Sequence, residues 1–307
     1  MEAKNNCQLS IVNCQFISKR YGKISALKEV SFEAKKGELF GIIGPDGAGK
    51  TTLFRILATL LLADKGTASV NGLDVVKDYK QIRKIVGYMP GRFSLYQDLT
   101  VEENLSFFAS VFGTTVAENY ALVEDIYKQI EPFKKRRAGK LSGGMKQKLA
   151  LSCALIHKPE LLLLDEPTTG VDAVSRKEFW AMLHRLQEQG ITIIVSTPYM
   201  DEATQCDRIA LIREGEFLSI DVPSEIVAKF DQPLFAVSDN DMSGLLKTLR
   251  EIPEVTSSYA FGDVHHVTVK EGVGAEKIKD ILAGKGRSHA AVKAIQAGIE
   301  DCFIALK

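Results

Sequence analysis

Cysteine is scarce in this chain of 307 residues, which contains five cysteines and a single tryptophan. No two cysteines form a CxxC pair, and their number is odd. This usage favours a reducing, cytosolic compartment in which the cysteines act as small apolar side chains. The five residues are Cys7, Cys14, Cys153, Cys206 and Cys302.

Long hydrophobic runs are also absent. No apolar run approaches the ~18 to 20 residues that span a bilayer. The best candidate, residues 54–63, is short and contains Arg55. The N-terminal sequence MEAKNNCQLS lacks the apolar core of a secretory signal. Any function at a membrane therefore requires a partner that supplies the spanning part.

The chain has no excess of charge of one sign, because 39 Lys and Arg residues balance 39 Asp and Glu residues. This balance argues against a protein that coats nucleic acid or an anionic membrane through bulk charge. A local basic patch is still compatible with it. The basic run at 134–137, KKRR, is interpreted as a solvated loop, and no nucleic-acid partner is predicted.

The remaining composition, 45% hydrophobic and 25% charged, is that of a globular protein with a substantial core. Apolar runs predict strands at 9–16, 29–34, 38–43, 85–89, 160–165, 191–196 and 207–212. Apolar spacing predicts helices at 50–61, 116–131, 142–156 and 173–188, and Asn71-Gly72 predicts a tight hairpin. Residues 100–103, TVEE, match a capping box and predict that a helix begins there and runs to about Phe112. Strands that alternate with helices indicate an α/β core with a mainly parallel sheet. The helix-rich region 101–157 is predicted to form a helical subdomain.

The pattern changes after Phe230. Strands are predicted at 233–238, 254–260 and 263–269, and helices at 241–250, 274–282 and 299–306, with a short apolar stretch at 288–295. This βαββαβ-like order predicts a small α+β, ferredoxin-like C-terminal domain at 233–307. His265 and His266 are adjacent on a predicted strand and point to opposite faces, so a shared metal ion is not expected.

A glycine-rich loop lies between the strand predicted at 38–43 and the helix that begins at Lys50. Residues 44–51, GPDGAGKT, fit the pattern G-x-x-x-x-G-K-[ST] in the context that this phosphate-binding motif requires. The glycines let backbone N–H groups surround phosphate oxygens, and Lys50 supplies a point charge. A glycine-rich turn with a chance lysine is the disfavoured alternative. The predicted nucleotide-binding residues are Gly44, Pro45, Asp46, Gly47, Ala48, Gly49, Lys50, Thr51 and Thr52, together with Tyr21, whose ring is a candidate for stacking on adenine.

A strand that ends in two carboxylates completes the predicted site. The run LLLLDE places Asp165 and Glu166 at the end of a buried strand. With the Thr51 hydroxyl, Asp165 is predicted to hold Mg²⁺, and Glu166 is predicted to polarise an attacking water as the catalytic residue. A core strand with a polar end is the alternative, and the phosphate loop upstream disfavours it.

Between these motifs, LSGGMKQ at 141–147 precedes the acidic strand, and a P-loop protein with this element resembles the ATP-binding cassette (ABC) family. The resemblance covers roughly residues 7–230 and implies a P-loop NTPase core with an antiparallel β subdomain and a helical subdomain. In the family, the signature residues cap ATP bound to the other subunit of a head-to-tail dimer, and the D-loop crosses the interface. The matching positions are Leu141, Ser142, Gly143, Gly144 and Gln147 for the signature. The D-loop corresponds to residues 169–172, TGVD, which end at Asp172.

Within the family, the motifs look like those of bacterial drug-efflux ATPase subunits, and the tail resembles the small C-terminal domain that many of them carry. The resemblance implies ATP and Mg²⁺ as ligands and a separate transmembrane permease as partner. It also implies a cytoplasmic location on the inner face of the membrane. The segment with Phe93, Leu95 and Tyr96 corresponds to the region that faces the permease, so an apolar docking patch is expected there.

Two positions depart from the family pattern. Gly91 stands where the family usually has glutamine after GYxP, and Gln97 is too far downstream to replace it. Pro198 stands where the family has its switch histidine, and the neighbouring histidines in sequence are His184 and His265. Loss of such groups typically lowers a rate by ~10² to 10⁴ while binding survives.

These departures lead to a hypothesis with open alternatives. The chain binds ATP well and hydrolyses it slowly, and its intact signature completes an active site on a different ATPase subunit. A heteromer is favoured, and a homodimer in which Glu166, solvent and backbone groups suffice is the alternative. A non-catalytic, ATP-binding regulatory subunit is a further hypothesis. A soluble cassette that acts on ribosomes or DNA is a third, although paired cassettes and long coiled-coil insertions are absent.

Overall fold

The computed structural model describes residues 10–306. The chain divides between Pro223 and Ser224 into two compact units. This division lies before the predicted change at Phe230, because most of the helix Pro223–Ala228 groups with the second unit. The predicted N-terminal limit at residue 7, and with it Cys7, lies outside the described residues.

A six-stranded sheet forms the centre of the first unit, with the order β10-β9-β3-β8-β7-β6. The strands are β3 (Leu39–Ile43), β6 (Val86–Met89), β7 (Leu161–Asp165), β8 (Thr192–Thr197), β9 (Arg208–Arg213) and β10 (Glu216–Asp221). All pairings are parallel except that of β10 with β9. Every residue of β3, β7 and β8 is buried, which explains the apolar runs LFGII, LLLL and IIV in their sequences.

A second, antiparallel sheet has the order β2-β1-β4-β5. Its strands are β1 (Ser10–Tyr21), β2 (Ile24–Lys35), β4 (Lys65–Val70) and β5 (Leu73–Asp74). The predicted hairpin at Asn71-Gly72 is confirmed, because both residues have positive φ (51° and 77°) and Val70 pairs with Leu73. Phe32 of β2 stacks on Phe40 of β3 with ring centroids 5.4 Å apart, which joins the two sheets through one core.

The helices of the first unit are α1 (Lys50–Leu57), α2 (Tyr79–Ile85), α3 (Val101–Val111), α4 (Val116–Tyr127), α5 (Gly143–Leu155) and α6 (Ala173–Glu188). Helices α3 to α5 follow one another between β6 and β7, so the helix-rich insertion lies where the sequence predicts it. The capping box that begins α3 is confirmed. The Glu103 amide donates to Thr100 Oγ1 at 3.2 Å, and the Thr100 amide donates to Glu103 Oε2 at 2.7 Å.

The elements that the sequence does not predict include α2, β10 and α7 (Pro223–Ala228). The helices have only seven and six residues, too few for a clear helical period. Strand β10 is an edge strand without a fully buried residue, so its sequence lacks the apolar run that identifies β9. Within residues 10–306, no helix combines the length and the apolarity that a membrane crossing requires.

The second unit contains an antiparallel sheet in the order β12-β13-β11-β14. It comprises β11 (Leu234–Ser238), α8 (Met242–Arg250), β12 (Val255–Phe261), β13 (Val264–Val269), α9 (Ala275–Gly284), β14 (Ala291–Ala294) and α10 (Ile299–Ala305). The predicted βαββαβ order is confirmed, and the unit has an apolar core of its own.

The adjacent histidines of β13 and the cysteines within residues 10–306 are buried. His265 Nε2 lies 2.7 Å from the Met242 carbonyl oxygen, whereas His266 Nδ1 lies 2.6 Å from Asp301 Oδ1, so the two rings have different partners. The four cysteines within residues 10–306 are buried and unpaired. Burial raises the pKa of each of these thiols, in keeping with a role in packing.

Candidate functional site

The loop between β3 and α1 is shaped by two glycines that pack against backbone. A Cβ placed on Gly44 would lie 2.1 Å from the Ile212 carbonyl oxygen. At Gly49, which precedes α1 with φ at 106°, a Cβ would lie 2.3 Å from the Ala26 carbonyl oxygen. Neither position tolerates a side chain, so the loop conformation requires glycine at both. The loop ends at the N-terminus of α1, which is a favourable place for an anion.

Lys50 is the first residue of α1 and is only 3% exposed. Its Nζ donates to the carbonyl oxygens of Gly44 at 2.7 Å and Pro45 at 3.0 Å. The same Nζ forms an ion pair with Glu166 Oε1 at 3.0 Å. These contacts satisfy a buried cation.

Asp165 ends β7 and accepts two hydrogen bonds on one oxygen. Thr51 Oγ1 donates to Asp165 Oδ1 at 3.2 Å, and Ser196 Oγ donates to the same atom at 2.8 Å. Burial raises the pKa of Asp165, and the hydrogen bonds from Ser196 and Thr51 oppose that effect. Hydroxyl and carboxylate oxygens side by side are ligands that Mg²⁺ accepts, so the chemistry of Thr51 and Asp165 fits this ion.

Glu166 adopts the left-handed conformation, with φ at 50°. Such a conformation is uncommon for a non-glycine residue and is maintained by surrounding contacts. The Glu166 amide donates to Ser196 Oγ at 3.0 Å and to the Ser196 carbonyl oxygen at 3.1 Å. Sequence reasoning missed Ser196, although the parallel register of β7 and β8 pairs it directly with Asp165.

The signature residues and the D-loop are neighbours in this chain. Ser142 caps α5 by accepting from the Met145 amide at 3.4 Å. Asp172 caps α6 and also accepts from Ser175 Oγ at 2.8 Å. A Cβ on Gly144 would lie 2.9 Å from Ser175 Oγ, so the signature loop packs closely on the start of α6. Leu141 is buried, Gly143 is exposed and Gln147 is half-buried.

Gly91 lies beside the paired carboxylates. A Cβ on this residue would lie 2.9 Å from the Asp165 carbonyl oxygen and 3.7 Å from the Glu166 Cβ. The position is therefore correct for a side chain that reaches the site, but glycine supplies none. Gln97 does not compensate, because its carbonyl oxygen accepts from the Gly139 amide at 2.9 Å and its side chain lies beside Gly139.

Pro198 follows β8 directly and has neither a polar side chain nor a backbone N–H. The Tyr199 amide donates to Thr197 Oγ1 at 3.1 Å, which turns the chain past the proline. His184 lies on α6, and its Nε2 is 3.3 Å from Gln205 Oε1. Its partner is therefore Gln205 and not a residue of the candidate site. Tyr21 ends β1 with 46% of its surface exposed, which leaves its ring available for stacking.

Comparison with known proteins identifies the family. Residues 27–169 match the family profile described as ABC transporter. The linearmycin resistance ATP-binding protein LnrL of Bacillus subtilis is 32% identical over 300 residues, which cover 91% of each chain. This chain belongs to the ABC transporter family. The probable multidrug ABC transporter ATP-binding protein YbhF of Escherichia coli is 40% identical over 275 residues, 88% of this chain and 47% of YbhF. The chain thus spans about half the length of YbhF.

Solved ABC cassettes share the fold. The CbiO1 subunit of Clostridium perfringens superposes with a TM-score of 0.64 at 28% identity, over 72% of this chain and 91% of that one. A dimeric cassette bound to ADP and Pi in a post-hydrolysis state gives a TM-score of 0.62 at 27% identity, over 69% and 98% of the two chains. The predicted fold class is confirmed, and ATP hydrolysis is the general activity of the family.

Proposed function

We propose that this ABC protein is the ATP-binding subunit of a membrane exporter whose transmembrane permease is a separate chain. The observation that carries the proposal is the cluster of Lys50, Thr51, Asp165 and Glu166 in a chain that also presents a signature loop. The names of LnrL and YbhF, a resistance protein and a probable multidrug transporter subunit, support export as the direction. ATP binding closes a cassette dimer, and hydrolysis and release reopen it, which moves the permease.

The residues have separate roles in this proposal. Lys50 and the backbone amides of the loop hold the phosphates, and Tyr21 stacks on the base. Thr51 and Asp165 hold Mg²⁺, which neutralises phosphate charge when it is bound. When a phosphate binds Lys50, it displaces the Glu166 carboxylate from the ammonium. Glu166 then orients the attacking water.

The intrinsic site is proposed to be degenerate. Gly91 and Pro198 leave the environment of Glu166 without the amide and imidazole groups that the family usually places there. Nucleotide binding depends instead on Lys50, Thr51, Asp165 and the loop amides, so it is retained. The signature loop is intact, so the chain completes the site of a second, catalytically competent ATP-binding subunit, and a heteromer is favoured over a homodimer.

An apolar cleft is the proposed docking surface for the permease. It has a volume of about 390 Å³ and lies between the segment that follows α1, strand β6 and helices α3 and α5. Its lining includes Leu60, Tyr88, Leu95, Phe108 and Phe112. Of the predicted docking residues, Leu95 lines the cleft, whereas Tyr96 packs edge-on against Phe107 and Phe93 lies under the Lys146 ammonium. Such a cleft suits the apolar face of a short helix.

Purification of the tagged chain from its native membranes tests this assembly. We expect an integral membrane protein and a second cassette subunit to co-purify in fixed ratio. Leu60, which is 57% exposed, contributes to the cleft, and Leu60→Glu should abolish co-purification of the membrane protein. Ile24→Glu, at a 70% exposed position outside the cleft lining, is the matched control and should retain it. Recovery of ribosomal proteins or nucleic acid instead would favour the soluble-cassette alternative.

The ion pair between Lys50 and Glu166 gives a prediction about affinity. Glu166→Gln removes the anion that competes with phosphate for Lys50, so ATP should bind more tightly, by about three- to tenfold. Equilibrium binding of a fluorescent ATP analogue measures the change. Glu178→Gln, at an exposed glutamate on α6 that pairs with Lys148, is the control and should bind like the parent. Weaker binding by Glu166→Gln would contradict the competition.

A regulatory subunit, the alternative function, would also bind ATP but would not hydrolyse it. The proline at position 198 and the glycine at position 91 favour it, and the retained Glu166 beside Lys50 argues against it. A regulatory subunit should support a partner's turnover even when its own Glu166 is replaced. If Glu166→Gln lowers the turnover of the assembled complex, the subunit contributes a catalytic site of its own.

A further inference from the structure

A second buried carboxylate, Glu202, lies next to the site and has no assigned role. It is 3% exposed. Its Oε2 accepts from Thr168 Oγ1 at 3.0 Å and from Thr197 Oγ1 at 2.5 Å, and its Oε1 accepts from Arg176 Nε at 3.0 Å. A buried carboxylate is costly unless it is fully hydrogen-bonded and paired, and this one meets both conditions.

Thr197 connects Glu202 to the phosphate loop. It is the last residue of β8, and its carbonyl oxygen accepts from the Gly44 amide at 3.2 Å. The same residue precedes Pro198, at the position of the family's switch histidine. This direct hydrogen bond links the backbone of the phosphate loop to Thr197.

Thr168 and Arg176 connect Glu202 to the D-loop from both of its ends. Thr168 lies two positions after Glu166, and its carbonyl oxygen accepts from the Val171 amide at 3.3 Å. Arg176 lies one turn into α6, and its amide donates to the Asp172 carbonyl oxygen at 2.9 Å. Segment 168–172 is thus bracketed by two side chains that bind the same carboxylate.

Arg176 is held in place by further contacts. Its Nη2 pairs with Asp201 Oδ2 at 2.9 Å, and its guanidinium lies 4.4 Å from the centroid of the Tyr199 ring. The Arg176 side chain is 23% exposed, whereas that of Asp201 is 74% exposed. Asp201 is therefore a solvent-exposed partner of the same cation, and Glu202 is the buried one.

We propose that Glu202 is a positioning residue that couples phosphate binding to the position of the D-loop, through Thr197 on one side and Thr168 on the other. The inference rests on the proposed binding of ATP. The coupling gives the chain a route from its own nucleotide to the surface where a second cassette subunit docks. That route bypasses Gly91 and does not need an imidazole at position 198.

Amide hydrogen exchange of the full chain, with and without Mg-ATP, tests the coupling. In the parent chain, Mg-ATP should slow exchange across 168–172 by about fivefold or more. Thr168→Val and Glu202→Ala should lose this response while the Kd for Mg-ATP stays within about threefold of the parent value. Thr168→Ser keeps the hydroxyl and should restore the response. Asp201→Asn, the exposed matched control, should behave like the parent.

The outcomes separate the two proposals. If the parent chain binds Mg-ATP and the exchange of 168–172 does not change, the coupling is wrong and the proposed function stands. If Thr168→Val and Glu202→Ala keep the parent response, or lose it only in proportion to ATP affinity, the coupling is also wrong. Should Glu202→Ala fail to fold, Thr168→Val and Thr168→Ser give the same contrast. If the parent chain does not bind Mg-ATP, the proposed function itself fails.

Discussion

Lys50→Met should lower the affinity for ATP by about 100-fold or more, equivalent to about 2.7 kcal/mol of binding free energy. The Lys50 ammonium is 3% exposed and lies at the base of the loop, where its attraction to phosphate is weakly screened by water. Methionine keeps most of the length and apolar character of the side chain and removes the ammonium, with its charge and its hydrogen-bond donors. Equilibrium titration with a fluorescent ATP analogue measures the loss.

Two observations make this result interpretable. Lys84→Met removes a charge from an exposed lysine on α2 and should bind ATP like the parent. Thermal unfolding of Lys50→Met should show one cooperative transition, because the Gly44 and Pro45 carbonyl oxygens can accept from water instead. A folded Lys50→Met protein with parental affinity would exclude the loop as the nucleotide site.

Restoring the missing side chains should raise hydrolysis. The double variant Gly91→Gln with Pro198→His should hydrolyse Mg-ATP ~10² to 10⁴ times faster than the parent, the typical contribution of positioned catalytic groups. Gly91 already lies beside Asp165 and Glu166, so the side-chain amide of a glutamine introduced at this position reaches the site. The local backbone must shift slightly, because a Cβ at position 91 lies 2.9 Å from the Asp165 carbonyl oxygen.

Matched single variants separate the effect of the new amide and imidazole groups from the effect of the changed backbone. Pro198→Ala restores the backbone N–H without an imidazole, and Gly91→Ala introduces the Cβ without an amide, so neither should raise the rate. Addition of Glu166→Gln to the double variant should return the rate to background. An unchanged rate in a folded, ATP-binding double variant would show that the slow step does not depend on positions 91 and 198.

Much of the fold is readable from local sequence because its strands are buried on both faces. The apolar runs at β3, β7 and β8 and the capping box at Thr100 correspond directly to elements of the structure. Strand β10 and helices α2 and α7 are short or half-exposed, and their formation depends on the sheet and core beside them. Local propensity carries little information about such elements.

The candidate site also has parts that the sequence predicts and parts that it does not. The loop and the acidic strand end are contiguous motifs whose residue types follow from phosphate and metal chemistry. The contacts of Ser196 with Asp165 and of Glu202 with Thr168 and Arg176 join residues that are far apart in the chain. The parallel register of β7 with β8 and the fold around α6 bring them together. The ion pair between Lys50 and Glu166 links two recognised motifs, but no spacing rule predicts a direct contact between them.

The central claim is that this chain binds ATP and has a slow site of its own. Steady-state hydrolysis of Mg-ATP by the purified chain, measured beside Glu166→Gln and together with the Kd for ATP, tests it most directly. We predict tight ATP binding and a rate indistinguishable from that of Glu166→Gln. A clear rate that depends on Glu166 would contradict the account, and would make the chain a self-sufficient ATPase despite Gly91 and Pro198.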